Sequence, residues 1–132
     1  LDSCMNRIEW SENFSTGHGP TDAQHKGIIS DCNIMIEHLS SGDTARCSQA
    51  MSDCLRNCEQ HFVEESTLLR SLDGIDPSEH FSDHQQILVH LNGLKKKCEK
   101  VCSGQACVSE VLHTIISHML KHDLKIRQHF IY

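Results

Sequence analysis

Helix breakers are scarce in this sequence. Two prolines and seven glycines among 132 residues leave room for long helices, since an interior proline costs roughly 3 kcal/mol and a glycine about 1 kcal/mol relative to alanine. Long apolar runs are missing too. No stretch reaches the roughly 20 residues that a bilayer-spanning helix needs, so no membrane partner is expected. Excess positive charge is absent: the formal net charge is -6 with histidines neutral, which argues against nucleic acid or an anionic membrane as the main partner. No basic, then apolar, then small-residue pattern opens the chain. No alternating strand pattern, internal repeat, low-complexity tract or linker competes with a helical reading. Leu1 as first residue leads us to expect a domain excised or processed from a longer chain.

Histidine and cysteine, by contrast, are plentiful. Eleven histidines are several times the usual share and invite a metal hypothesis before any motif is read. The eight cysteines would suggest a disulfide framework in a small secreted domain. Here Cys32, Cys54, Cys58, Cys98 and Cys102 fall inside helical patterns, mostly on the apolar side. They read as reduced, buried, small hydrophobes, and the protein is expected to be cytoplasmic. The pairs Cys54-x-x-x-Cys58 and Cys98-x-x-x-Cys102 could also bind a soft metal or respond to oxidants; packing is the preferred reading. A chain that is 38% hydrophobic and 23% charged suits one globular domain over 1–132 with a real core.

Residues 1–19 show no sustained period and read as an irregular arm anchored by Trp10 and Phe14. After Pro20, Thr21 and Asp22 offer N-cap chemistry. Ile28, Ile29, Cys32, Met35 and Ile36 then recur at three- and four-residue steps, predicting a helix over about 21–40. A second stripe, including Met51, Leu55 and Phe62, predicts a helix over about 44–72. Asp76-Pro77 starts a third over about 77–102, weakened locally by Gly93. Val108, Val111, Leu112 and Ile115 carry a fourth over about 105–127. Four amphipathic helices on short links predict an all-α, up-down-up-down four-helix bundle.

Polar residues interrupt these apolar stripes in one pattern. It comprises His25, His61-x-x-x-Glu65, His80-x-x-x-His84 and His118-x-x-x-x-Asp123. A spacing of four puts two side chains on one helical face, where unpaired charge is costly. In antiparallel order all four groups lie toward the same end of the bundle. A metal centre is the simplest common partner, and the ligand count suits two ions better than one. Imidazole with carboxylate suits iron, manganese or zinc, and the lack of thiolate argues against a structural zinc site.

Together with Trp10-x-x-x-Phe14, Thr21-Asp22-Ala23-Gln24-His25-Lys26 and His61-Phe62-Val63-Glu64-Glu65, this ordered set resembles the hemerythrin family, more closely its bacterial hemerythrin-like domains. The resemblance spans residues 10 to 123. It implies that His80, His84 and His118 bind one iron and His25 and His61 the other. Glu65 and Asp123 would bridge the pair beside an oxo or hydroxo group. Dioxygen would bind reversibly at the two-histidine iron, next to a pocket including Ile115 and Thr114. Many relatives carry Trp where Thr114 stands, so faster autoxidation is expected here.

The domain is accordingly read as ligand-binding rather than enzymatic. The resemblance implies an oxygen or redox sensor fused to a signalling output, such as a chemotaxis transducer or a diguanylate cyclase. The alternatives are a stand-alone oxygen carrier or store, and a di-iron peroxidase, nitric-oxide or iron-repair activity. No clear acid, base or nucleophile stands beyond the ligand set to support an enzyme. His18, His38, His90, His113, His122 and His129 are expected to lie outside the ligand set, and Glu64 off the face that Glu65 shares with His61.

Overall fold

In the computed structural model, which describes residues 7–72, 74, 76–100, 105–121 and 126–127, the apolar stripes become four α-helices. They are α1 (Gly19–Ser40), α2 (Thr44–Ser71), α3 (Pro77–Lys100) and α4 (Gln105–Lys121). Helix α1 packs on α2, α2 on α3, α3 on α4, and α4 back on α1. With short links between sequential helices, this ring is the expected up-down-up-down bundle. Among the described residues no helix is long and apolar enough to cross a membrane.

The helix ends follow local chemistry, and one differs from expectation. Helix α1 starts two residues early, with His18 rather than Thr21 or Asp22 as its N-cap. Pro20 explains the shift: it lacks an N–H and presets a helical φ, so it belongs inside the first turn. The His18 ring accepts from the Thr21 N–H and sits 2.8 Å from the Thr21 hydroxyl. Asp43 caps α2 by accepting from the Arg46 N–H at 3.0 Å. Gly42, at φ 78°, takes the left-handed turn that lets the chain leave α1. Asp76 accepts from the Ser78 N–H at 3.0 Å and from its hydroxyl at 2.8 Å, and α3 opens on Pro77 as its sequence predicts. Gly93 does not interrupt α3.

Asp22, displaced from the capping role, fastens the arm. Its carboxylate accepts from the Ser15 hydroxyl at 2.6 Å, the Thr16 N–H at 2.7 Å and the Thr16 hydroxyl at 2.8 Å. Burial pushes this carboxyl up, but the hydrogen bonds outweigh it and hold its pKa below 3.8. Further along, buried Asn33 receives the Ile8 N–H at 2.8 Å and donates to the Ile8 carbonyl at 3.0 Å. The arm is thus less irregular than expected. It contains a 3-10 turn (Glu12–Phe14), and the Trp10 and Phe14 rings meet 5.6 Å apart against the core.

Inside, Ile29, Cys32, Met35, Met51, Leu55, Leu91, Val108 and Val111 form one continuous apolar cluster. At about 25 cal/mol per Å² of buried apolar surface, this cluster is what holds the four helices in register. The described cysteines Cys32, Cys47, Cys54, Cys58 and Cys107 are free thiols, and all but Cys107 are buried, in line with the packing reading.

Candidate metal centre

Each helix contributes to a polar chamber at one end of the bundle. His25 comes from the early part of α1, His61 and Glu65 from the later half of α2, His80 and His84 from the first turns of α3, and His118 from the end of α4. All six are at most 4% exposed. The depth match expected from the helix order therefore holds for every described member. Asp123, the seventh expected ligand, lies outside the described residues, as do His122 and His129.

Glu65 stands between two groups of imidazoles. Its Oε2 is 3.0 Å from His61 Nε2, which in turn lies 3.1 Å from His25 Nε2. Its Oε1 is 2.8 Å from His84 Nε2, 3.7 Å from His118 Nε2 and 3.8 Å from His80 Nε2. Two donor sets follow: His25, His61 and Glu65, and Glu65, His84 and His118. Within each set the donor atoms all lie within 4.8 Å of one another.

Outer partners settle where the protons go. A carboxylate or amide oxygen can only accept, so His61 Nδ1 donates to Gln24 Oε1 at 2.7 Å. For the same reason His118 Nδ1 donates to Asp83 Oδ2 at 2.8 Å. In a neutral ring this leaves the Nε2 lone pairs of His61 and His118 facing Glu65. Lone pairs facing a buried carboxylate repel unless a proton or a cation sits between them. Several imidazoles and one carboxylate, water-excluded and oriented from behind, suit a nitrogen-rich divalent cation site.

This geometry has a counterpart among known sequences. Residues 20–131 match the profile of the hemerythrin HHE cation binding domain. The chain belongs to that family. It is also similar to the myohemerythrin of Theromyzon tessulatum, 28% identical over 87 residues, which cover 66% of this chain and 68% of the relative. A cation-binding domain of the hemerythrin family thus has its buried imidazoles and shared carboxylate gathered at one end of a four-helix bundle.

Other expectations resolve around that chamber. Glu64 is exposed and receives hydrogen bonds from Gln24 and Gln60, which leaves Glu65 alone on the inner face. His90 and His113 are exposed, His38 is half-buried, and His18 turns out to be a helix cap. Ile115 lines an internal cavity of about 10 Å³ together with Ile28, Cys58, His61, Phe62, Ile87, His118 and Met119. That volume is on the order of one water-sized molecule.

Thr114 lies apart from Ile115. It does not line this cavity; it lies in an outer cleft beside Asp83 and His118, and its hydroxyl donates to the Glu110 carbonyl at 2.8 Å. The reason is angular. Adjacent positions on a helix point about 100° apart; Ile115 is turned to the core, and Thr114 to the outer cleft.

Three residues that shape the chamber carry no role at the site in the sequence reading. Gln24 and Asp83 orient two imidazoles. The Phe62 ring stacks on His84 at 4.1 Å and 9° and meets His118 edge-on at 5.3 Å. The available signal was adjacency: Gln24, Asp83 and Phe62 each neighbour a chamber histidine in sequence.

Proposed function

We propose that the chain binds two iron ions in this chamber and uses them to bind dioxygen reversibly. His25 and His61 would hold one ion, His80, His84 and His118 the other, and Glu65 with Asp123 would bridge them. One observation carries the reading: the two oxygens of a single buried carboxylate each face a separate set of imidazoles. When bound, the iron pair would supply the two electrons that reversible dioxygen chemistry requires.

The chain's own residues would do the rest. Gln24 and Asp83 keep the protons of His61 and His118 on Nδ1, so both Nε2 atoms point inward as donors to a metal. Phe62 holds the His84 ring in plane. Ile28, Ile115 and Met119 line the cavity beside His61 with apolar surface, which favours a small apolar ligand over water. The test is an iron assay with a visible spectrum of the aerobic protein. The expected result is two irons per chain with the absorption of a coupled ferric pair; one ion or none defeats the reading.

We assign the biological role as an oxygen or redox sensor, working as a module of a larger cytoplasmic signalling protein. A sensor must couple ligation to two states of differing affinity. Output of the full-length protein should therefore differ among its ferrous, oxygenated and diferric forms, and equal output would remove the sensing role. The likeness to a myohemerythrin favours a second reading, a stand-alone oxygen carrier. A long-lived oxygenated form, with no output coupled to it, would select that reading.

A further inference from the structure

Two of the chamber imidazoles are held from behind by groups of different kinds. Asp83, behind His118, is a carboxylate and can only accept a hydrogen bond. Gln24, behind His61, is an amide. It carries an acceptor and two donors, and half a turn about its last bond exchanges them. With the oxygen inward, as here, His61 Nδ1 carries the proton and Nε2 keeps its lone pair for a cation. With the NH2 group inward, Nδ1 would have to accept. The proton would pass to Nε2, which is 3.0 Å from Glu65 Oε2, and the ring would bond the carboxylate instead of a metal. A fixed proton on His61 therefore needs a fixed amide.

The bond that fixes it comes from outside the chamber. Gln24 Nε2 donates to Glu64 Oε2, and Gln60, one turn back on α2, donates to Glu64 Oε1 at 3.1 Å. Each carboxylate oxygen thus receives one amide, and neither has a proton to offer. Helix geometry puts Glu64 there. It precedes Glu65 by one position, about 100° around α2, just as Gln24 precedes His25 on α1. The inner members of the two pairs, His25 and Glu65, face the chamber; the outer members meet between the helices beside His61. Both outer members also line two solvent clefts. Water donates and accepts alike, so it would not choose between the amide poses. Building on the reading of His61 as a metal ligand, we propose that Glu64 is a positioning residue of the centre. It locks the Gln24 amide, and the locked amide keeps the His61 proton off the metal-facing nitrogen.

The test follows the ring nitrogens of His61 by nitrogen NMR in metal-free protein. In wild type Nδ1 should be protonated. Glu64→Lys puts a donor where the acceptor stood, so the amide should turn and Nδ1 should give the signal of an unprotonated nitrogen. Adding Gln24→Glu should restore the Nδ1 proton, because a carboxylate accepts from His61 and from the lysine ammonium alike. A merely structural role for Glu64 would not be rescued by that change on the other helix. Glu64→Ala leaves the choice to water and should give a mixture of the two forms; it decides alone if Glu64→Lys does not fold. Zinc is then titrated while the Nε2 signals are followed. In Glu64→Lys those of His25 and His61 should need about 10–100-fold more zinc, the size of an outer-partner loss, while those of His84 and His118 saturate as in wild type. The proposal is overturned by an unprotonated Nδ1 in wild type, by a fully protonated one in Glu64→Lys or Glu64→Ala, by failure of Gln24→Glu to restore it, or by unchanged zinc demand. The proton readout needs no metal, so it judges Glu64 even where wild type binds no zinc, a result that would count against the metal reading alone.

Discussion

At the end of the bundle where α1 finishes and α2 begins, the buried residues are Met35, Cys47, Met51, Leu91 and Val108. At the opposite end the buried residues include five imidazoles and a carboxylate. The same four helices thus enclose two interiors of opposite character. In the first, each large side chain gains about 1.5–3 kcal/mol from burial alone. In the second, burial costs free energy until charge is balanced. The apolar end can hold the helices together by itself, and the polar end depends on what it binds. Stability and function are therefore separable along the bundle axis.

The sharpest way to break this contrast is to truncate one residue from each interior. Glu65→Ala removes the carboxylate shared by both imidazole sets. Metal affinity should fall by more than the roughly 10–100-fold expected for losing an outer partner, and it should fall at both positions together. Metal analysis after gel filtration reads the loss; full retention of two ions would refute the shared-carboxylate reading. Leu91→Ala should cost about 2–5 kcal/mol of unfolding free energy through the cavity it leaves. That cost should be equal in metal-loaded and metal-stripped protein, measured by denaturant titration. A cost that changes with metal would mean the two ends are coupled.

A weaker perturbation sharpens the boundary of the polar end. Asp83→Ala leaves every inner imidazole in place and frees the His118 proton to move to Nε2. Affinity should drop by about 10–100-fold, seen in competition with a chelator, with the apolar end unchanged in thermal unfolding of the stripped protein. This residue also marks where the sequence stopped being legible. Helix number, order and the depth of the histidine groups followed from spacing, because a period of 3.6 maps position directly onto a face. The outer partners did not follow. Gln24 and Asp83 sit at half-buried positions where polar residues are commonplace, and only the fold shows which imidazole each one faces. The His18 cap was hidden for a different reason: Pro20 moves the helix start, and histidine is a rare cap beside the aspartate and threonine that follow it.

Thr114 tests the side wall of the polar end. It lies in an outer cleft of about 220 Å³ against Asp83 and His118. Thr114→Trp should cover that cleft and limit water around the Asp83–His118 bond. The oxygenated form should decay more slowly, by about two- to tenfold, the size of effect expected for a single substitution worth up to about 1.4 kcal/mol. Equal lifetimes for the two proteins would show that water does not reach the centre from this side.

A last effect, on stability alone, concerns the arm that closes the polar end. Asp22 ties residues 15 and 16 to α1, three residues before His25, through three hydrogen bonds. Asp22→Ala should cost about 1–2 kcal/mol, a modest share of what charge-assisted hydrogen bonds can contribute at a partly exposed site. The sign of its pH dependence follows from the lowered pKa. An acid bound more weakly to its proton when folded favours folding only while ionised. Its contribution is whole at neutral pH, declines as the pH falls past the ordinary 3.8, and is gone below the depressed value. Wild type and Asp22→Ala should therefore converge in stability in acid and separate above it, as read by unfolding midpoints of metal-stripped protein across that range. A constant gap would assign the loss to packing of the arm rather than to the carboxylate.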